Sequence, residues 1–415
     1  MKLFYLFLAL LLMPGWAVAD TQTAAKTIDS ILAKSWKEQG VTGNADASDE
    51  IFVRRIYLDA VGRIPTYDES TRFLASTDPD KRAKLIDELL QSEGYVNHFF
   101  NYWADILRIN LNLGGGRNIT PYYVEFVRDA LRENMPYNQF VKTLVTAEGQ
   151  AWDNGAIGYT YRDRGMPLDH MANTVRIFLG TRLECAQCHN HPFDKWTQMD
   201  FYHMAAFSYG MDANNRGYRT QIQELQRAIG KMDIDRSERQ NLQRAFQEVT
   251  RPVRNNNMVS YDAERLPQLP HDYQYSDAEP KQKIEPAAIF GEQVEIQSPG
   301  ARVFTYAEWM TSPDNPRFTT VIANRLWKKA MGIGLIEPVD EIMDSTAPSD
   351  AQLMNYLEGL MIDSGYDMKK FLAAIFNSKA YQREAGSEEI PLGGSYAFTG
   401  PILRRMTAEQ IWDSV

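Results

Sequence analysis

Apolar residues recur at steps of three and four along most of the chain, and that spacing limits what it can fold into. Residues 24–38 place Ile28, Ile31, Leu32 and Trp36 on one face. Residues 49–62 do the same with Ile51, Phe52, Ile56, Leu58 and Val61, and Gly62 and Pro65 then end the pattern. The same period predicts helices over 78–91, 95–111, 120–134, 137–146 and 168–181. Later it predicts them over 315–331, 349–363 and 367–377. Thr197 with Asp200 reads as a capping-box start for a helix ending near Tyr209 and Gly210. A short strand is expected only at Ala156 to Tyr161. Gly114, Gly115 and Gly116 read as a flexible connector, because no GK[ST] follows to make a phosphate loop. The expected class is mainly α.

The pattern divides the chain into parts. Residues 1–19 read as a signal peptide: Lys2 precedes an apolar run from Leu3 to Met13, and Ala17-Val18-Ala19 suits a signal peptidase. That run is shorter than the about 20 residues a spanning helix needs, and no later segment is apolar enough to cross a bilayer. Residues 24–215 form a first helical domain, 216–254 a charged, glutamine-rich helical hairpin, 255–300 an irregular linker and 301–415 a second helical domain. The helical pattern is still running at Val415, so a missing C-terminal part is expected. The leader points to a periplasmic or secreted protein. A formal net charge of −10 and the lack of a basic stripe argue against a nucleic acid partner.

Both cysteines of the chain lie in one stretch, CAQCHNHPFD, from Cys185 to Asp194, with two of its six histidines. Exported proteins commonly spread cysteines as disulfide staples, but one bridge across three residues would staple almost nothing. On one helical turn Cys185 and Cys188 point to the same side and His189 projects just beyond them. CxxCH is the attachment pattern of c-type haem: each thiol forms a thioether and the imidazole ligates the iron. His189 is then the proximal ligand. His191 and Asp194 fall in the immediate surroundings, with His191 suited to a hydrogen bond near the cofactor. His203 is the distal candidate, with Met199, Met204, Met211, His170 and Met171 as competitors. Two other readings stand beside haem. Zinc would use Cys185, Cys188, His189 or His191, and His203. A thiol oxidoreductase would cycle Cys185 and Cys188, although such a motif normally follows a strand rather than a helix. No hydrolase triad, carboxylate pair or nucleotide loop stands out.

The stretches CAQCHNHPFDKWTQMDFYHMAAF, RRIYLDAVGRIPTYDESTRFLAS and VRIFLGTRLECAQCH resemble the planctomycete-type secreted cytochrome-like (PSCyt-type) domain of unknown function. NPRFTTVIANRLWKKAMGIGLIEPVDEI and RRMTAEQIWDSV resemble the PSD-type domain that usually follows it. The resemblance implies an exported protein with c-type haem on Cys185, Cys188 and His189, and no known substrate. Asn324, Arg325 and Trp327 anchor the second domain's motif, and a buried structural role is expected for them. The expected function is electron transfer or a haem-dependent redox reaction in the cell envelope, with a redox partner protein. The contrasting expectation is a binding or scaffold protein with a structural zinc.

Overall fold

The computed structural model describes residues 21–415 except 112, 114–118, 214–215, 255–256, 388–389 and 391–395. The leader and the triple glycine therefore lie outside the described residues. The fold is mainly α-helical. In the first part the helices are α1 (Thr21–Gln39), α2 (Asp49–Val61), α3 (Tyr67–Ala75), α4 (Lys81–Leu90) and α5 (Glu93–Ile106). They continue with α6 (Thr120–Arg132), α7 (Tyr137–Val145), α8 (Gly158–Arg162), α9 (Pro167–Leu179) and α10 (Gln198–Ser208). Helices α11 (Arg216–Gly230) and α12 (Arg236–Arg254) pack on each other. The last part holds α13 (Arg302–Thr311), α14 (Phe318–Met331), α15 (Ala351–Asp363), α16 (Met368–Asn377) and α17 (Ala408–Trp412).

The helices bury the faces their spacing marks, with instructive exceptions. On α1, Ile28, Ile31, Leu32 and Trp36 are all buried. On α2 the buried set is rotated: Val53, Tyr57 and Ala60 go in with Phe52 and Ile56, while Ile51 remains exposed. Gly62 ends α2 in the left-handed region at φ 76°, where a side chain would collide with the His98 ring. Helix α3 had no signal in the apolar spacing because it buries only Phe73; its Thr66–Glu69 capping box starts it.

Ala156 to Tyr161 is not a strand but a 3-10 turn (Gly155–Ile157) running into α8. The alternation of small and aromatic residues misleads there because every side chain from 156 to 161 is buried, which leaves no solvent face for period two to mark. Gly158 lies so close to the Tyr123 ring of α6 that any side chain would clash. The strands are short: β1 (Gly149–Gln150), β2 (Met211–Asp212) and β3 (Met258–Tyr261), antiparallel in the order β1-β3-β2. The otherwise irregular 258–301 segment thus supplies the central strand.

The N- and C-terminal helices share one hydrophobic core. Helix α1 packs on α15 and α16, α4 on α16, α7 on α13, and α9 on α14. The Tyr137 ring of α7 stacks on Phe318 of α14 at 5.3 Å between centroids, and its N–H donates to the Tyr366 carbonyl at 3.0 Å. Asp29 of α1 accepts from the Lys379 and Ala380 N–H groups just after α16, at 2.9 and 3.0 Å. No described helix is long and apolar enough to cross a membrane.

Candidate functional site

The cysteine stretch is placed by a close helix crossing. Helix α9 ends at Gly180, in the left-handed region at φ 58°, and a Cβ there would lie 2.7 Å from Val321 of α14. Only glycine lets the chain turn against the second helical segment at this point. The Gly180 carbonyl accepts from the Ile342 N–H at 2.7 Å, which ties the turn to the loop after α14. Asp340 of that loop holds Arg176 at 2.9 Å and Arg182 at 3.1 Å. A 3-10 helix (Glu184–Gln187) follows and carries Cys185, and Cys188 caps it.

Both thiols are exposed and unpaired, on either side of the fully buried Ala186. His189 is exposed as well, and its Nδ1 lies 2.7 Å from the Asn190 carbonyl oxygen. A carbonyl only accepts, so Nδ1 carries the proton and Nε2 presents a lone pair. That tautomer is the one a metal-ligating histidine holds. His191 is set the other way: its Nδ1 accepts from the Phe193 N–H at 3.2 Å, which leaves the proton on Nε2. His191 is therefore prepared to donate a hydrogen bond rather than to ligate. His203, half-buried on α10, donates from Nδ1 to the Glu285 carbonyl at 2.7 Å and keeps the ligating tautomer.

The loop between Cys188 and α10 is fastened at several points. Asn190 donates its N–H to the Tyr275 hydroxyl at 2.8 Å and accepts on Oδ1 from the Gln198 N–H at 2.9 Å. The buried Gln198 amide donates to the Gln187 carbonyl at 3.0 Å, and His191 N–H to the Trp196 carbonyl at 2.7 Å. The Thr197–Asp200 capping box closes the segment. Asp194 accepts from the Lys195 N–H at 2.7 Å. Lys195 pairs with Asp344, which Arg317 also holds at 2.9 Å. The hydrogen bond from Lys195 keeps the Asp344 carboxyl below the usual carboxylate range. At the loop's tip Phe193 is 88% exposed, beside a cleft of about 460 Å³ shared with Met343 and Ser345.

The competing ligands fare differently. Met171, Met204 and Met211 are buried core residues, and Met199 packs against the core. His170 faces inward, where its Nδ1 lies 3.4 Å from Asp163. Burial alone would raise the Asp163 carboxyl, but His170 and Arg162 hold it at about 2. Among the described residues no group of three or more His, Cys, Asp and Glu side chains is placed to hold a metal ion. Cys185, Cys188, His189, His191 and His203 thus make no ready zinc site without rearrangement, whereas thioether attachment needs only the two thiols and one imidazole.

Residues 27–212 match the family model of PSCyt2, a protein of unknown function (DUF1549), and residues 304–415 match that of PSD1, a protein of unknown function (DUF1553). The chain therefore carries a PSCyt2 domain followed by a PSD1 domain. No curated protein and no solved structure matches it. The PSCyt2 segment carries the whole CxxCH stretch, and the PSD1 segment supplies Asp340, Ile342 and Asp344, which brace it. Tyr275 and Glu285 belong to neither segment. Only folding brings these two to the site, because their hydrogen bonds span more than eighty residues of sequence. The PSD1 motif residues lie inside the fold, as expected. Asn324 and Trp327 are fully buried, and Arg325 donates to the Ile177 carbonyl at 3.3 Å.

Proposed function

We propose that this chain is an exported c-type haem protein that transfers electrons, or carries out a haem-dependent redox reaction, in the cell envelope. The observation that carries this reading is the histidine next to the thiols: His189 has its Nδ1–H committed to a backbone carbonyl and its Nε2 lone pair outward, beside two exposed, unpaired cysteines. Cys185 and Cys188 would hold the cofactor and His189 its iron. A bound haem supplies one-electron redox chemistry, with the potential set by its second ligand and its burial. His191 offers a hydrogen-bond donor beside the attachment point, and Asn190 fixes the orientation of His189 through the carbonyl that its ring binds. Trp196 is buried, and the Asn190–Gln198–Tyr275 bonds fasten the stretch that carries His189 and His191. His203 is the chain's best candidate for a second ligand.

The test is an absorption spectrum and a denatured mass of protein from a host that matures c-type cytochromes. A Soret band with mass increased by one haem is expected, and a Cys185→Ala/Cys188→Ala double variant should lose both. Apoprotein mass without a Soret band, when a control cytochrome matures normally, overturns the reading and directs attention to zinc content. With a formal charge of −10 the chain suits a basic redox partner. Its electron-exchange rate with a basic cytochrome should then fall severalfold between low salt and about 0.15 M salt, where the screening length is about 8 Å. Stopped-flow measurement against ionic strength reads this, and a rate independent of salt removes the steering.

A further inference from the structure

A wide cleft lies away from the cysteine stretch, which contributes nothing to it. It is a cleft of about 700 Å³ between α2, the end of α14, residues 384–385 and residues 401–410, a size within the roughly 300–1,000 Å³ of small-molecule sites. Its charge runs against that of the chain. Five basic residues line it, Arg54, Arg55, Lys329, Arg404 and Arg405, against two acids, Asp59 and Glu384. Asp59 is already engaged by Arg404 at 2.8 Å and by the Tyr381 hydroxyl at 2.8 Å.

The other cations find no acid in ion-pairing range among the described residues. Arg55 donates to two backbone carbonyls, of Tyr381 and Arg383, each at 2.6 Å, so its charge meets only dipoles. Arg54 meets the Met406 sulfur at 3.8 Å. Lys329 sits over the Tyr102 and Phe99 rings at 5.2 and 5.9 Å. Burial pushes its ammonium down to about 8, and the Arg404 charge adds to this, against the pull of Asp59, Asp105 and Glu409, none of which reaches ion-pairing distance. Between these charges Ile51 and Leu403 expose apolar surface, and Leu58 lies half-buried.

Arg54 and Arg405 are exposed and hydrated, but with Arg55 and Lys329 they give this concave, partly apolar site a positive potential that draws anions. We propose that this cleft binds an organic anion, whose carboxylate, sulfate or phosphate group meets Arg54, Arg405 and Lys329 while its carbon skeleton lies on Ile51, Leu58 and Leu403. The site is independent of the haem reading, since it shares no residue with the cysteine stretch.

Titration calorimetry of the full chain with three probes tests this: benzyl phosphate, inorganic phosphate and benzyl alcohol. Benzyl phosphate should bind one to one. Inorganic phosphate and benzyl alcohol, each carrying half of the recognised chemistry, should both bind at least about tenfold more weakly. An Arg54→Ala/Arg405→Ala double variant changes two exposed side chains and should fold normally, as circular dichroism would verify. It should weaken benzyl phosphate by about tenfold or more, the scale of a lost charge-assisted hydrogen bond. Inorganic phosphate binding as tightly as benzyl phosphate overturns the apolar half of the proposal. Benzyl alcohol binding as tightly overturns the charged half. No binding of benzyl phosphate, or undiminished binding by the double variant, overturns the site.

Discussion

Replacing Asn324 by Ala is expected to lower the free energy of unfolding by on the order of 4 kcal/mol, because one side-chain amide serves three buried backbone groups. Its Oδ1 accepts from the Leu335 N–H at 2.8 Å and the Ile336 N–H at 3.1 Å, and its Nδ2 donates to the Ile336 carbonyl at 2.7 Å. Leu335 and Ile336 are themselves buried, so water cannot replace the amide without opening the core. Gly334 passes within 2.9 Å of Oδ1, measured from where a Cβ would sit, and this shows how tightly the turn is wrapped on Asn324. Equilibrium unfolding in urea reads the effect as a lower midpoint with an unchanged slope. The same turn leads to Asp340, Ile342 and Asp344, which brace the cysteine stretch, so loosening it should also reach the candidate site. A variant of unchanged stability would contradict the structural role and reopen a functional one for Asn324.

Asn324 also shows what a sequence can and cannot reveal here. Its burial was legible, because the helix 315–331 has apolar residues on every side and a polar residue inside it must be satisfied by partners. Its partners were not, since they lie in a turn eleven and twelve residues on whose path no periodicity dictates. The cysteine stretch behaved likewise. Residue type and spacing made Cys185, Cys188 and His189 readable, and the Thr197–Asp200 box announced α10. The fastenings by Tyr275 and Glu285 were invisible, because they come from an irregular segment that the fold alone brings near. The cationic cleft was hidden for a related reason. Arg54, Lys329 and Arg405 come from three distant segments, and each alone reads as ordinary solvated charge. Helix α3 and the three short strands escaped because one buried phenylalanine, or two paired residues, makes no period to read.

Lowering the pH from 7 to 5 should cost the protein about 2 kcal/mol of stability through His98 alone, before its carboxylates begin to titrate. His98 lies on α5, only 7% exposed and with no hydrogen-bond partner at Nε2. Burial pushes its imidazole down to about 3, helped by the positive charges of Lys329 and Arg404. The unfolded chain takes up the proton near 6.5. Between 6.5 and 3 the unfolded state therefore binds more protons than the folded one. The stability held in neutral His98 is complete above 6.5 and is lost as pH falls through that window. Asp163 and Glu69, both held at about 2, act in the same direction but only below about 4, where unfolded carboxyls protonate. Burial also lowers His170, against the pull of Asp163, and this adds to the slope, so the His98 share is isolated by His98→Leu. That variant removes the titrating group and breaks no hydrogen bond at Nε2. Urea unfolding at pH 7 and pH 5 should show a difference smaller by about 2 kcal/mol in His98→Leu than in the parent chain. Equal differences in the two proteins would mean that His98 is protonated in the folded state and that water or an anion reaches it.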